Sequence, residues 1–379
     1  PCIVGLFVIG TCYKNYSVIG GAQAVFNGMM FAGQDLFDIM LVIALMVAML
    51  KSLEKMGADR MMIAPAAKLL RTPTTAFFVI GIMMYICATF FWPTPATALV
   101  GTILIPIGLK AGLNPLMACM VLNMAGHGMA LSGDLILQGA PALSASAANI
   151  PIEEVLGKGG LLATIVGIVS ISVAFIKYNK EIRTPFTADV TQTTAAAEEK
   201  QAPVYAKYFA IAVPIVFFAI LARIIAGAYI DGFTKIFGGD ATALLGGTAA
   251  VIMIVATFVD AREKALETIV EYLRNGMMFS IKIFAAVIPI AAFFAMGNPE
   301  SAPVILGEGA PGFLFDLGSA MGQVIPLNPW ALAIGIAVIG GITGLDGSGF
   351  SGIPLIAGLA AALAGPLGYN VGALAALGQ

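Results

Sequence analysis

Residues 340–354 read GGITGLDGSGFSGIP. A hydrophobic run stops at Thr343, passes through glycine, serine and the carboxylate of Asp346, and turns hydrophobic again at Ile353. Four glycines in nine residues, Gly344, Gly347, Gly349 and Gly352, release the backbone from helical dihedrals. In hydrocarbon, irregular backbone is tolerated only where protein or a water-filled cavity satisfies it. The meaning of the break therefore depends on its surroundings.

Those surroundings are apolar. The 379 residues are 59% hydrophobic and 11% charged, with a mean hydropathy of +0.96, where soluble chains carry about 25% charge. Apolar runs of about 20 residues recur along the whole length, the signature of membrane spans. An all-α polytopic membrane protein is expected. The chain opens at Pro1 inside an apolar run with no basic segment before it, which does not read as a signal peptide.

Other classes lose support. One histidine cannot supply a His-rich metal set, and Cys2, Cys12, Cys87 and Cys119 form no CxxC pair. They read as small buried hydrophobes. No basic cluster with interleaved aromatics suggests nucleic acid. Neither GxSxG, a Walker loop nor HExxH occurs, so no enzyme is expected.

Tyr178 to Lys207 is the longest polar segment, too poor in hydrophobic residues to span or to form a core. It reads as a cytoplasmic linker (178–207) between an N-terminal repeat, 1–177, and a C-terminal repeat, 208–379. Each repeat is expected to be incomplete at its outer end. FDIMLVIALMVAML from Phe37 resembles FSIKIFAAVIPIAAFF from Phe279. The loop after the first holds Lys51, Lys55, Arg60, Lys68 and Arg71. The loop after the second holds Glu300, Glu308 and Asp316 and no basic residue, while Arg262, Lys264 and Arg274 precede the second segment and only Lys14 precedes the first. The positive-inside rule then puts equivalent loops on opposite faces. The expectation is a pair of inverted-topology repeats, common in secondary transporters.

The repeat pairs the opening stretch with TFFWPTPAT, residues 89–97. Its prolines remove backbone donors. Matched interruptions in two halves point to a midplane binding site. Each broken helix is expected to present free amides and a positive end to an anion, with carbonyls, hydroxyls and Asp346 facing a small cation. A third polar stretch carries Asn123, His127 and Asp134, costly groups within or at the end of a span. His127 reads either as a proton carrier or as a structural side chain. Asp134 reads either as a cation ligand or as the aqueous end of the span. Asp35 and Asp38 read as acids at a helix start, and Lys282 as a snorkelling or paired lysine.

The order of features resembles the ion transporter superfamily: a helix with a basic loop, FFWPTPATALVGTILIPIGLKAGLNP, a GHG-bearing helix at His127-Gly128, a polar linker, and an inverted copy with a glycine–serine break. In layout it is most similar to the gluconate permease family, and the first break also resembles the membrane subunits of TRAP carboxylate transporters. GGITGLDGSG resembles a segment in membrane subunits of sodium-pumping decarboxylases. The resemblance implies a homodimer in a bacterial inner membrane, with paired broken or re-entrant helices and an elevator-type movement. It differs from gluconate permeases after the His-Gly pair, where MALSGDLILQGAP stands.

The expected function is symport of a small organic anion, a carboxylate or sugar acid, with sodium or protons. Thr94, Pro95, Thr97, Asn123, His127, Gly347, Ser348 and Gly349 are the expected substrate residues. Thr343, Asp346, Ser351 and Asp134 are the expected cation residues. Without a buried arginine the anion rests on helix dipoles and a co-bound cation, which favours Na+; no other cofactor is expected. The alternatives are a cation/proton antiporter and a decarboxylase membrane subunit.

Overall fold

The computed structural model describes residues 1–186, 202–230, 232–314, 316, 320, 328–344 and 352–379. Among them there is no strand. The helices are α1 (Cys2–Tyr13), α2 (Val18–Asp35), α3 (Phe37–Met56), α4 (Ala58–Ala67), α5 (Pro73–Phe91), α6 (Pro93–Lys110) and α7 (Pro115–Asn123). A π-helical turn, Met124–Ala130, leads into α8 (Leu131–Gly133), α9 (Gly139–Ala148), α10 (Glu153–Lys177) and α11 (Asn179–Arg183). After the linker come α12 (Ala206–Tyr229), α13 (Gly239–Ala261), α14 (Ala265–Met296), α15 (Ala302–Leu306), α16 (Pro329–Thr343), α17 (Ile353–Ala364) and α18 (Val371–Gly378).

Several starts follow one local rule. Thr72-Pro73, Asn114-Pro115 and Asn328-Pro329 each put a capping side chain before a proline at the first helical position. The cap accepts an otherwise orphaned amide, and proline there loses nothing because its missing N–H had no helical partner.

Helices long and apolar enough to cross a membrane are Pro73–Phe91, Pro115–Gly133, Glu153–Lys177, Ala206–Gly227 and the run Gly239–Met296. A further candidate is the pair α2–α3, bent by 54° at Leu36. The run 239–296 is two antiparallel helices, because the chain turns at Arg262, where φ is 48°. Gly246 of α13 faces Val42 and Leu45 of α3, whereas the Ser280 hydroxyl of α14 donates to the Met40 carbonyl at 2.8 Å. Going up α13 therefore follows α3, and going up α14 runs against it. Gly276 lets the α14 backbone close directly onto the Ala44 carbonyl; any side chain there would collide with it.

This arrangement threads the two halves of the sequence through each other. α3, from the first half, packs on both α13 and α14 from the second. The segments matched by hydropathy, on α3 and α14, run in opposite directions.

The basic residues gather at one end. Phe186 N donates to Gly112 O at 2.8 Å, Ala202 lies beside Gly57, and Tyr205 Oη donates to Asp260 at 2.7 Å. α4 packs on both α6 and α12 and joins these groups. Lys51, Lys55, Arg60, Lys68, Arg71, Lys110, Lys177, Lys180, Arg183, Lys207, Arg262 and Lys264 stand on these loops and helix ends, twelve of the chain's 19 basic residues. By the positive-inside rule this is the end expected in the cytoplasm.

At 32 residues and 1.5 Å per residue, α14 is about 48 Å long, against a hydrocarbon core of about 30 Å. Its far end packs with α1, α2 and α15 around Leu6, Ala24, Met296 and Ile305, a cluster separate from the main core. α9, α16, α17 and α18 enclose a third cluster.

Two residue expectations are corrected. Of the four cysteines only Cys87 is buried; Cys12 and Cys119 are exposed on apolar helices. Asp38 is in the first turn of α3 as expected, whereas Asp35 is the last residue of α2 and directly precedes Leu36, the N-cap of α3, so the ends of both helices act on it.

Candidate functional site

The proline-rich break is the tip of a helical hairpin. α5 and α6 pack against each other, and Gly108 late in α6 faces Ala76 and Ile80 early in α5. Trp92 alone makes the turn, with φ 72° and ψ 144°. That region is essentially reserved for glycine and costs about 1–3 kcal/mol for other residues. Pro93 forces extended ψ on the residue before it. Burial of the indole, 4% exposed, holds the residue there.

The tip offers fewer amides than the sequence suggested. No side chain caps α6, but Pro93 and Pro95 have no N–H, and Ala96 N already donates to Trp92 O at 3.1 Å. The first turn is left with the Thr94 amide and the exposed Thr94 side chain. The Thr97 hydroxyl donates to Pro93 O at 2.8 Å, and Thr89 does the same to Tyr85 O at 2.7 Å. Such back-bonding satisfies a hydroxyl inside an apolar helix.

Trp92 rests on Gly139, the first residue of α9. A side chain at Gly139 would meet the indole at 3.0 Å and Asp134 Oδ2 at 3.3 Å, so the indole or the carboxylate would have to give by a few tenths of an ångström. Asp134, 4% exposed, accepts from Gly139 N at 2.6 Å and from Ala140 N at 3.4 Å. The carboxylate thus caps the positive end of α9, where a negative charge is stabilised. Asp134 is buried, and one of its oxygens is committed to the helix.

Gln138 completes the cluster. It is fully buried, and its Oε1 accepts from Gly238 N at 2.9 Å, tying this region to the start of α13. Its Nε2 has no partner. Trp92, Gln138 and Gly139 were not singled out in the sequence. Their only local signals are a tryptophan directly before a proline and a glycine following an Asp-x-x-x-Gln pattern.

His127 lies on the π-helical turn, a distortion frequent at functional sites. It is half-buried, and its Nδ1 is buried with no partner. Asn123 is exposed at the end of α7, one turn earlier. The π turn packs on α5, α6 and α10, which sets these residues alongside the hairpin.

At the second break, α16 ends at Thr343, whose hydroxyl donates to Gly340 O at 3.0 Å. Gly352 lies against the Thr343 side chain, while Ile336 and Ile356 both pack on Gly378; α16 and α17 therefore fold back on each other. Asp346, Gly347, Ser348, Gly349 and Ser351 lie outside the described residues. α17 packs along α9, and Ile353 joins the same core as Trp92, Leu137 and Ala140. α9 thereby links the two breaks.

Over 384 aligned residues the chain is 35% identical to the uncharacterized membrane protein YhfA of Bacillus subtilis (strain 168), covering 100% of this chain and 81% of that one. The chain belongs to the YhfA family of membrane proteins. No protein-family model matches it, and no solved structure does. Membership in the YhfA family agrees with the apolar helices: this is a polytopic helical membrane protein.

Proposed function

We propose that the protein is a secondary active transporter in a bacterial inner membrane, working as a homodimer, that symports a small organic anion with sodium or protons. The observation that carries the reading is the hairpin tip. A strained one-residue turn lies against Gly139, whose amide a buried helix-capping carboxylate holds, and the hairpin packs along a π-helical turn whose histidine has a buried, unpaired nitrogen. Backbone strain and distorted helices of this kind persist where surrounding structure over-determines them, and they cluster at sites that bind or move.

Thr94 and the positive end of α6 would receive the anion, with Pro95, Thr97, Asn123 and His127 along the same hairpin. The negative end of α5, meeting the tip from the other side, would favour the coupling cation, together with Asp134 and Thr343. Residues 346–351 would complete both sets. The antiparallel run of α3 and α14 supports inverted repeats, and two hairpins joined through α9 suit an elevator-type carrier.

Thermal unfolding of the purified protein against carboxylates and sugar acids, with and without sodium, tests this. A ligand at 100 times its Kd stabilises by about 2.7 kcal/mol. One acid is expected to raise the Tm, more so with sodium, and to lose that effect in Asp346→Asn.

A cation/proton antiporter is the second reading, favoured by the scarcity of free amides at the tip and by two groups able to carry a proton, the buried Asp134 and the half-buried His127. A Tm raised by sodium alone, indifferent to every acid, would overturn the organic-anion reading in favour of the antiporter or a sodium-pump subunit.

A further inference from the structure

Three spans reach the basic end of the molecule at Pro73, Pro115 and Lys177, and the chain next to each of them meets at one seam. Gly112, just before α7, packs on Pro73 and Pro185, and its carbonyl accepts from Phe186 N at 2.8 Å. α11 packs on α5. The rings of Phe77 and Phe78 on α5 meet Phe175 on α10, and the Arg183 guanidinium stands over that Phe175 ring at 5.7 Å. Three stretches far apart in the chain, 68–75, 108–116 and 174–186, are thus held together at span ends, where hydrocarbon gives way to headgroups.

These stretches carry Lys68, Arg71, Lys110, Lys177, Lys180 and Arg183 against one acid, Glu181. All six bases are exposed, and the ion pair found among the described residues, Lys51–Glu54, involves none of them. The rest of the basic end is different. At the ends of α3, α13 and α14 the bases alternate with Glu54, Asp59, Asp260, Glu263 and Glu267, so positive charge is balanced locally. The positive-inside rule accounts for bases at this end of the molecule, but not for their separation from acids along this seam.

Apolar side chains share the patch. Leu69 is 58% exposed, Leu116 69% and Phe186 38%. A soluble anion has no use for them, whereas a lipid does: long basic side chains reach phosphate while their apolar neighbours meet the acyl region. We propose that the seam is a binding surface for anionic phospholipid, whose phosphates the six bases hold and whose acyl chains run past Leu69, Leu116 and Phe186. Basic clusters next to span ends attract anionic headgroups, and guanidinium groups such as Arg71 and Arg183 can take phosphate through two hydrogen bonds. α5 starts and α6 ends at this seam, so bound lipid ties the base of the hairpin. The surface lies at the opposite end of that hairpin from Trp92 and does not depend on the transport reading.

Native mass spectrometry of the full chain in detergent tests it, with dioleoyl phosphatidylglycerol and dioleoyl phosphatidylcholine as parallel titrations and glycerol phosphate as a soluble competitor. Phosphatidylglycerol is expected to bind at least about tenfold more tightly than phosphatidylcholine. The triple variant Arg71→Gln, Lys110→Gln, Arg183→Gln should lose that preference. The triple variant Lys55→Gln, Lys207→Gln, Lys264→Gln removes as much charge from the ends of α3, α12 and α14 and should keep it. All six positions are exposed, so both variants should melt with the parent in phosphatidylcholine, which separates a lost surface from a lost fold. The single reversal Lys110→Glu carries the test where the first triple melts lower, and it should weaken phosphatidylglycerol alone. Equal affinity for the two lipids, an equal loss in both triples, or displacement of phosphatidylglycerol by glycerol phosphate at matched concentration would overturn the proposal. Binding of an organic acid is measured separately, so either result leaves the transport reading to its own test.

Discussion

Asp134 and Asp35 stand near the two ends of the same short helix, and their settings are opposite. Asp134 lies at the N-terminus of α9, buried, and holds its first amides at 2.6 and 3.4 Å. Asp35 is exposed at the junction of α2 and α3 and reaches the C-terminal end of α9 through Ser146. In the first case the carboxylate completes the fold. In the second it stands in solvent-accessible space between the ends of helices whose charges oppose each other. The two roles are separated by burial together with the direction of the helix ends that each carboxylate meets.

The contrast can be pressed hardest at the tip that rests on α9. Trp92→Ala should cost about 3–5 kcal/mol, as for other large buried aromatics. Trp92→Gly should cost about 1 kcal/mol less than that, because glycine adopts φ 72° and ψ 144° without strain. Ordinarily glycine is the worse replacement, so equal Tm values for the two would show that the turn stores no strain. Next in size, Asp134→Ala should destabilise by about 1–3 kcal/mol through its orphaned amides. Asp134→Asn, which keeps an acceptor, should lose less. Asp35→Asn should change stability by less than about 0.5 kcal/mol, because Asp35 is exposed and lies between the C-terminus of α2 and the N-terminus of α3. A loss as large as that of Asp134→Asn would erase the distinction between the two carboxylates.

Asp59 gives the smallest effect and separates burial from dipole direction. It lies in the first turn of α4, the favourable end, yet it is 4% exposed and its Oδ1 has no partner. Burial is the main cause that raises its pKa, opposed by the Arg60 amide. A carboxyl group whose folded pKa lies above its unfolded value is best tolerated while protonated. Its contribution is fully present below the unfolded value, about 3.9, and is lost as the pH rises through the folded one. Asp59→Asn should therefore melt higher than the parent at neutral pH and converge with it in acid. A difference that is constant with pH would show that Asp59 does not titrate differently in the fold.

Much of the architecture was legible because hydrocarbon allows few solutions. Apolar length gives spans, and cap-proline pairs such as Asn114-Pro115 give their starts. The sorting of Lys51 to Arg71 from Glu300 to Asp316 gives orientation, and WPTP gives a break. The site was less legible. The sequence shows that the helix breaks at Pro93, but not that the chain reverses there on one residue. It shows Asp134 as a polar group near a span end, but not which oxygen is engaged or by what.

What the sequence determined by itself is what depends on near neighbours and on the solvent: helix, span, and the places where a helix cannot continue. Only the tertiary structure decided that Trp92 lies against Gly139, that Gln138 holds α13, and that Asp35 meets Ser146 of α9. Each of these joins residues far apart in the chain. A helix dipole acts on whatever the fold brings to its end, and no local pattern records which residue that will be.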